Sequence, residues 1–410
     1  MRIAFISAII LLSANLQARI WMVNPQGPMS SIQKAIDLSA GNDTVMVASG
    51  TYREKNIRID KPLILQGVGL PVLDGEKKYE MISIYADDVT VDGFRLQNSG
   101  IGTLEDPAAI KIYNRRHVTI SNNVLDGNFF GIYTEYGVSC IIKNNQVTAY
   151  AQAEQEIGNG IHCWKCDSMQ IIGNKIRGHR DGIYFEFVTN SIIWRNNSTG
   201  NVRYGLHFMF SNNDSYISNV FKNNGAGVAV MFTHGVKMYN NLFEENWGDA
   251  SYGLLLKDIS DSYMEGNRFY SNTTGILMDG ASRIQMRKNI FKNNGWAMRV
   301  QASCMDINVE SNNFLGNTFD VGTNGSLVLN TFDGNYWDKY EGYDIGHDKV
   351  GDVPYRPVSM FSMIIERMPV SMMLFRSFIT SLLDKSEKVL PGLTPENLVD
   401  NRPLMKPLPL

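Results

Sequence analysis

Residues Gly182-Ile183-Tyr184-Phe185-Glu186-Phe187 alternate apolar and polar positions, the pattern of a short strand with one buried face. A glycine or alanine followed by such a strand returns at Gly131, Gly160, Gly182, Gly205, Gly227, Gly253, Gly275 and Ala297, in steps of 22 to 29 residues. In phase with it runs an asparagine, any residue, then usually an apolar one: Asn123, Asn145, Asn174, Asn197, Asn219, Asn241, Asn267, Asn289 and Asn312. A period of this length means stacked supersecondary units. The segments are too short and too rich in β-branched and aromatic residues for helix pairs, and no Leu-x-x-Leu-x-Leu frame recurs. Three short strands per coil predict an all-β fold, a right-handed parallel β-helix. Asparagine suits its corners because it tolerates left-handed backbone and its amide can bond to the neighbouring coil.

The same pattern divides the chain into four parts. Residues 1–18 read as a signal peptide, with Arg2, an apolar run to Leu12 and Ala18 at its end; the run is too short for a permanent membrane anchor. The mature chain is thus expected to be exported. Residues 19–75 form an N-terminal cap and the first coils, with a serine-capped helix at Ser30–Ile36 covering the open end of the core. Residues 76–335 carry the repeats, and 336–410 a C-terminal loop, a Met-rich helical segment and a Pro-rich tail.

Composition narrows the picture a little. A net charge of −3 gives no argument for nucleic acid or an anionic lipid as partner. Four cysteines, Cys140, Cys163, Cys166 and Cys304, are too few for a disulfide framework in 410 residues. Cys163-x-x-Cys166 invites a redox or metal reading, but alternation turns Cys163 inward and no βαβ pattern surrounds it.

Candidate chemistry emerges when the coils are aligned on their glycine. The outward positions two and four residues on are Tyr133 and Glu135, His162 and Trp164, Tyr184 and Glu186, His207 and Met209, Ala229 and Met231, Leu255 and Lys257, Leu277 and Asp279. Met209 and Met231 are then vertical neighbours, with His207 on the same face. Thioethers with an imidazole are the ligand set of a soft cation, Cu(I) first. Glu186, Tyr184 and His162 stand close enough in the columns to support or join the set. The competing reading is that both methionines simply pack under a loop or partner. A further alternative, common for exported β-helices, is a uronate polysaccharide lyase, epimerase or binding protein. Glu135, Glu186 and Asp279 supply carboxylates for it, and Tyr133, Trp164 and Tyr184 stacking rings, although no dense carboxylate strip forms.

After residue 335 the repeat stops. The acidic, glycine-containing stretch 338–355 has no EF-hand spacing and reads as a turn region closing the solenoid. Residues 358–390 read helical, with Met360, Met363, Met368, Met372 and Met373 among apolar neighbours; the segment either docks a partner or lies back on the coils.

Arg180-Asp181-Gly182-Ile183-Tyr184, His207-Phe208-Met209 and Val230-Met231 together resemble the coil strands of the NosD family. So do Asn335-Tyr336-Trp337, Gly351-Asp352-Val353-Pro354-Tyr355 and Pro403-Leu404-Met405, which extends the resemblance over nearly the whole mature chain. The resemblance implies a non-enzymatic periplasmic protein seated on the membrane and ATPase subunits of an ABC transporter. It implies participation, with a copper chaperone, in supplying copper to nitrous oxide reductase during maturation. It makes His207, Met209 and Met231 the expected transient copper contacts and the Met-rich segment the transporter-facing end. The chain has no phosphate-cradling ATPase loop, which agrees with an ATPase on a separate subunit.

Overall fold

The computed structural model describes residues 18–102, 106–150, 153–325, 329–389 and 398–410. The segment read as a signal peptide, apart from Ala18, lies outside the described residues. One coil shows the plan: strands Asp181–Glu186, Ile192–Trp194 and Asn197–Thr199. Each pairs in parallel with its counterpart in the next coil, Tyr204–Met209, Ser215–Ile217 and Val220–Lys222. Repeated along the chain, this winding gives a parallel β-helix whose third face alone contains 13 strands. Strands Ala226–His234 and Leu254–Glu265 run round the first corner without a break, which merges the first two faces into one sheet.

Close approach explains the recurring glycine. A Cβ on Gly205 would lie 2.8 Å from the carbonyl oxygen of Gly227 and 2.8 Å from Asn224 Nδ2, so no larger side chain fits where strand meets corner. Asparagine explains the other mark. Asn123, Asn145, Asn174, Asn196, Asn219, Asn241, Asn267, Asn289, Asn312 and Asn335 form a buried ladder in which each backbone N–H donates to Oδ1 of the next, at 2.9–3.0 Å. The rung expected at Asn197 is therefore Asn196; Asn197 is an exposed strand residue. A second ladder, Asn201–Asn224–Asn246–Asn272–Asn294–Asn317, holds another corner. Between the ladders Phe221, Phe243, Phe269, Phe291, Phe314 and Trp337 stack through the core, with centroids 4.0–5.6 Å apart. Phe187, which alternation would turn inward, sits instead at a corner with φ of 53°, outside the core and stacked on Phe210.

Both ends are closed. Helix α1 (Ile32–Leu38) buries Ile32, Ala35 and Ile36 on the first coil, and Glu54 accepts from Ile32 N and Gln33 N at its N-terminus. At the other end Tyr340 and Tyr355 pack on the core, Asp338 accepts from Gly316 N of the solenoid, and Asp344, Asp348 and Asp352 accept within the loop itself. Asp344 accepts from Lys349 N (2.9 Å) and Asp348 from Val350 N (2.9 Å). Helices α2 (Met360–Arg367) and α3 (Phe378–Val389), joined by a 3₁₀ turn at Pro369–Leu374, lie back on the last coils. Phe361, Ile365 and Leu383 pack there on Trp296 and Phe319, and Glu366 forms a bidentate pair with Arg299 at 2.6 and 2.7 Å. The described part of the tail runs along the final coil. Asp400 accepts from Gly334 N, Asn335 N, Asn335 Nδ2 and Trp337 Nε1 at 3.0–3.1 Å.

Candidate metal-binding face

The first face of the helix stacks two columns of outward side chains. One reads Lys111, Tyr133, His162, Tyr184, His207, Ala229, Leu255 and Leu277, and the other Glu135, Trp164, Glu186, Met209, Met231, Lys257 and Asp279. Cα register thus pairs Met209 with Met231 and sets His207 beside Met209 on the same strand. Both methionines are half-buried. Met231 packs with Tyr204, Tyr252, Ala229 and Leu255, a small apolar cluster on the outer face. Tyr184 Oη lies 3.9 Å from Met209 Sδ and 3.2 Å from Glu186 Oε2. Burial, with the Glu186 charge beside it, pushes the Tyr184 phenol up to about 12, so it stays a donor.

His207 is buried, and its two nitrogens differ. Nδ1 faces Asp181 Oδ2 at 3.5 Å and Arg203 Nη2 at 3.3 Å, while Nε2 is buried with no hydrogen-bond partner among the described residues. Asp181 is fully buried. Burial pushes its carboxyl up, but hydrogen bonds from Arg203 and His207 outweigh that and hold it below the usual carboxylate range. Donation from Nδ1 to Asp181 would leave the lone pair on the buried, unpartnered Nε2. A carboxylate that orients an imidazole from behind is how proteins set a metal-ligating histidine.

The other sequence-selected residues fall elsewhere. His162 is two coils from His207, roughly 10 Å by strand spacing, with Tyr184 between them. Its ring is stacked on Tyr133 at 4.3 Å and contacts Tyr184 at 4.7 Å, and Nδ1 accepts from Asn159 Nδ2 at 3.0 Å. Burial, helped by the Arg180 charge, lowers its pKa to about 3, so it is neutral and built into the stack. The imidazole covers one side of both Tyr133 and Tyr184, and Lys111 Nζ sits over Tyr133 at 4.7 Å, which leaves little free ring face for a sugar. Of the C-terminal methionines, Met363 packs against the core and Met360 is half-buried, whereas Met368, Met372 and Met373 are exposed. Cys140, Cys163, Cys166 and Cys304 are all buried free thiols.

Sequence reasoning missed the Asp181–Arg203 pair behind His207, having named Asp181 only within the Arg180–Tyr184 motif. A signal was present. The position before the glycine holds Phe130, Tyr204, Ala226, Tyr252, Thr274 and Trp296 in other coils, and Asp181 is the charged residue among them. Among the described residues no group of three or more His, Cys, Asp or Glu is disposed to hold a metal, so a site here depends on the thioethers.

Fold and face together define a parallel β-helix that carries an imidazole–thioether column on its outer surface. The profile of the NosD family, described as periplasmic copper-binding protein, matches residues 146–342. A probable ABC transporter binding protein NosD of Pseudomonas aeruginosa is 28% identical over 387 residues, 89% of each chain. Its counterpart in Stutzerimonas stutzeri is 27% identical over 89% of this chain and 87% of its own. The chain thus resembles NosD proteins over nearly its whole length, the family profile itself matching 146–342. Solved structures with the same fold include the A-module of the Azotobacter vinelandii mannuronan C-5 epimerase AlgE6, with TM-score 0.52 and 15% identity over 74% of this chain and 93% of that one. The catalytic unit of a Streptomyces thermodiastaticus GH87 α-1,3-glucanase is similar at TM-score 0.55 and 13% identity, covering 75% of this chain and 65% of that one. At these identities they bear on architecture alone.

Proposed function

We propose that this chain is a non-enzymatic periplasmic accessory protein of an ABC transporter that takes part in passing Cu(I) toward nitrous oxide reductase during its maturation. The single observation that carries the reading is the buried, unpartnered Nε2 of His207 beside the Met209–Met231 pair, with Asp181 fixing the ring from behind. One nitrogen and two thioether sulfurs form a soft, neutral donor set, suited to Cu(I) and poor for hard cations. Half-buried methionines at a surface suit an ion that must leave again. The family description and the transporter naming of the relatives support the cargo and the partner. Glu186, through Tyr184, sits one coil before Met209 as an outer support. A copper chaperone and the reductase are the expected donor and acceptor. Met368, Met372 and Met373 mark the transporter-facing end.

Anaerobic titration of the mature chain with Cu(I) against a competing chelator tests this directly. One bound copper is expected, lost in both His207→Ala and Met231→Leu; the latter nearly conserves volume while removing the sulfur. Undiminished copper binding in both variants overturns the site.

A further inference from the structure

The hairpin of α2 and α3 ends in an apolar tip that none of the described residues covers. Val370, Met373 and Phe378 are 76%, 85% and 81% exposed, and Met368, Ile379 and Leu382 are also solvent-facing. Beneath the tip the hairpin is firmly held, through Phe361, Ile365 and Leu383 on the coils and the Arg299–Glu366 pair. The tip is therefore presented rather than loose. Its charge is one-sided. Between Glu366 and Asp384 the chain has no acidic residue, and it has two arginines, Arg367 and Arg376, both exposed. The molecule's net charge of −3 hides this local positive collar.

We infer that this tip seats in the headgroup region of an anionic lipid bilayer and holds the solenoid against the membrane surface. Exposed Met, Phe, Ile and Val flanked by arginine is the composition of an interfacial element: the apolar side chains enter the acyl boundary and the guanidinium groups meet anionic headgroups. Charge argues for lipid as the occupant: two exposed arginines with no acidic residue between Glu366 and Asp384 match anionic headgroups, and interfacial binding grows with each apolar side chain inserted. Among the described residues no helix is long and apolar enough to cross a membrane, so the element lies on the bilayer rather than through it. The inference rests on the transporter-facing end proposed above, which would stand beside a membrane, but not on copper.

Flotation of the purified mature chain with vesicles tests it. The chain should float with phosphatidylglycerol-containing vesicles at least tenfold more than with pure phosphatidylcholine, and high salt should weaken the binding. Met373→Asp with Phe378→Asp should abolish it, and Arg367→Gln with Arg376→Gln should remove the preference for anionic lipid; unchanged thermal melting will show both variants folded. Failure to float with either vesicle overturns the inference and gives the tip to a protein partner, while the Cu(I) titration of the same sample reports separately on the copper reading.

Discussion

At the scale of single residues, the face works through pairs in which one side chain sets the state of another. His207 is oriented by Asp181, which is itself held by Arg203. Replacing Asp181 with Asn keeps the shape and removes the charge, so Cu(I) affinity in the chelator titration should fall by about 10–100-fold. Burial raises the carboxyls of Glu80 and Asp320, whose stabilisation is lost as pH rises, and three further buried groups add to the pH response. Burial lowers His162 to about 3 and His179 to about 4, and raises Asp214 to about 8. Between about pH 4 and 6.5 the unfolded chain takes up two protons on the histidines while the native chain keeps one on Asp214, so the contribution of these three groups rises with pH. Between 6.5 and 8 only the Asp214 proton differs, and stability falls. In urea denaturation, Asp214→Asn should flatten the fall in stability between about pH 6.5 and 8. The columns holding His207, Met209 and Met231 were legible in the sequence because strand alternation and coil spacing suffice to align them. Asp181 was not, because it acts from the strand start in the preceding coil, and alternation does not predict contacts across that corner.

At the scale of elements, the asparagine ladder shows what a sequence can and cannot specify. Its period was readable along the whole solenoid, but at Asn196-Asn197 two adjacent asparagines satisfy it equally, and a slip of one residue moves a side chain from core to solvent. Asn196 Oδ1 receives both the backbone N–H and Nδ2 of Asn174. Asn196→Ala should therefore cost about 2–3 kcal/mol by orphaning buried donors, against less than about 0.5 kcal/mol for Asn197→Ala; thermal or urea unfolding separates them. The C-terminal hairpin was ambiguous for a related reason. An amphipathic pattern shows that a helix has an apolar face without showing where that face goes. Here the apolar residues divide between two destinations. Phe361, Ile365 and Met363 turn to the protein, while Met368, Val370, Met373 and Phe378 remain outside.

At the scale of the whole molecule, a solenoid is stabilised by neighbour-to-neighbour contacts, so its ends govern how readily it unravels. The tail makes the last coil safe by placing Asp400 under four donors. Asp400→Ala should cost about 3 kcal/mol locally, read as faster amide exchange over residues 331–337 with the central coils unchanged. The repeats announced the solenoid, but this closure was invisible beforehand, since it joins residues 65 positions apart in a stretch with no period.

The ladder also has a direction. Each asparagine passes its protons to the oxygen of the rung that follows, so the series runs one way toward the C-terminus and must finish on a group that only receives. A carboxylate has lone pairs and no hydrogen to pass on. Asp400 is such a terminator, fully buried where the tail crosses the last coil and pairs with Tyr355 of the closing loop. Asp400→Asn differs by little more than one amino group, yet it sets a buried donor against the donors that already converge there, and urea unfolding should show the last coil weakened by about 1–3 kcal/mol with the central coils unchanged.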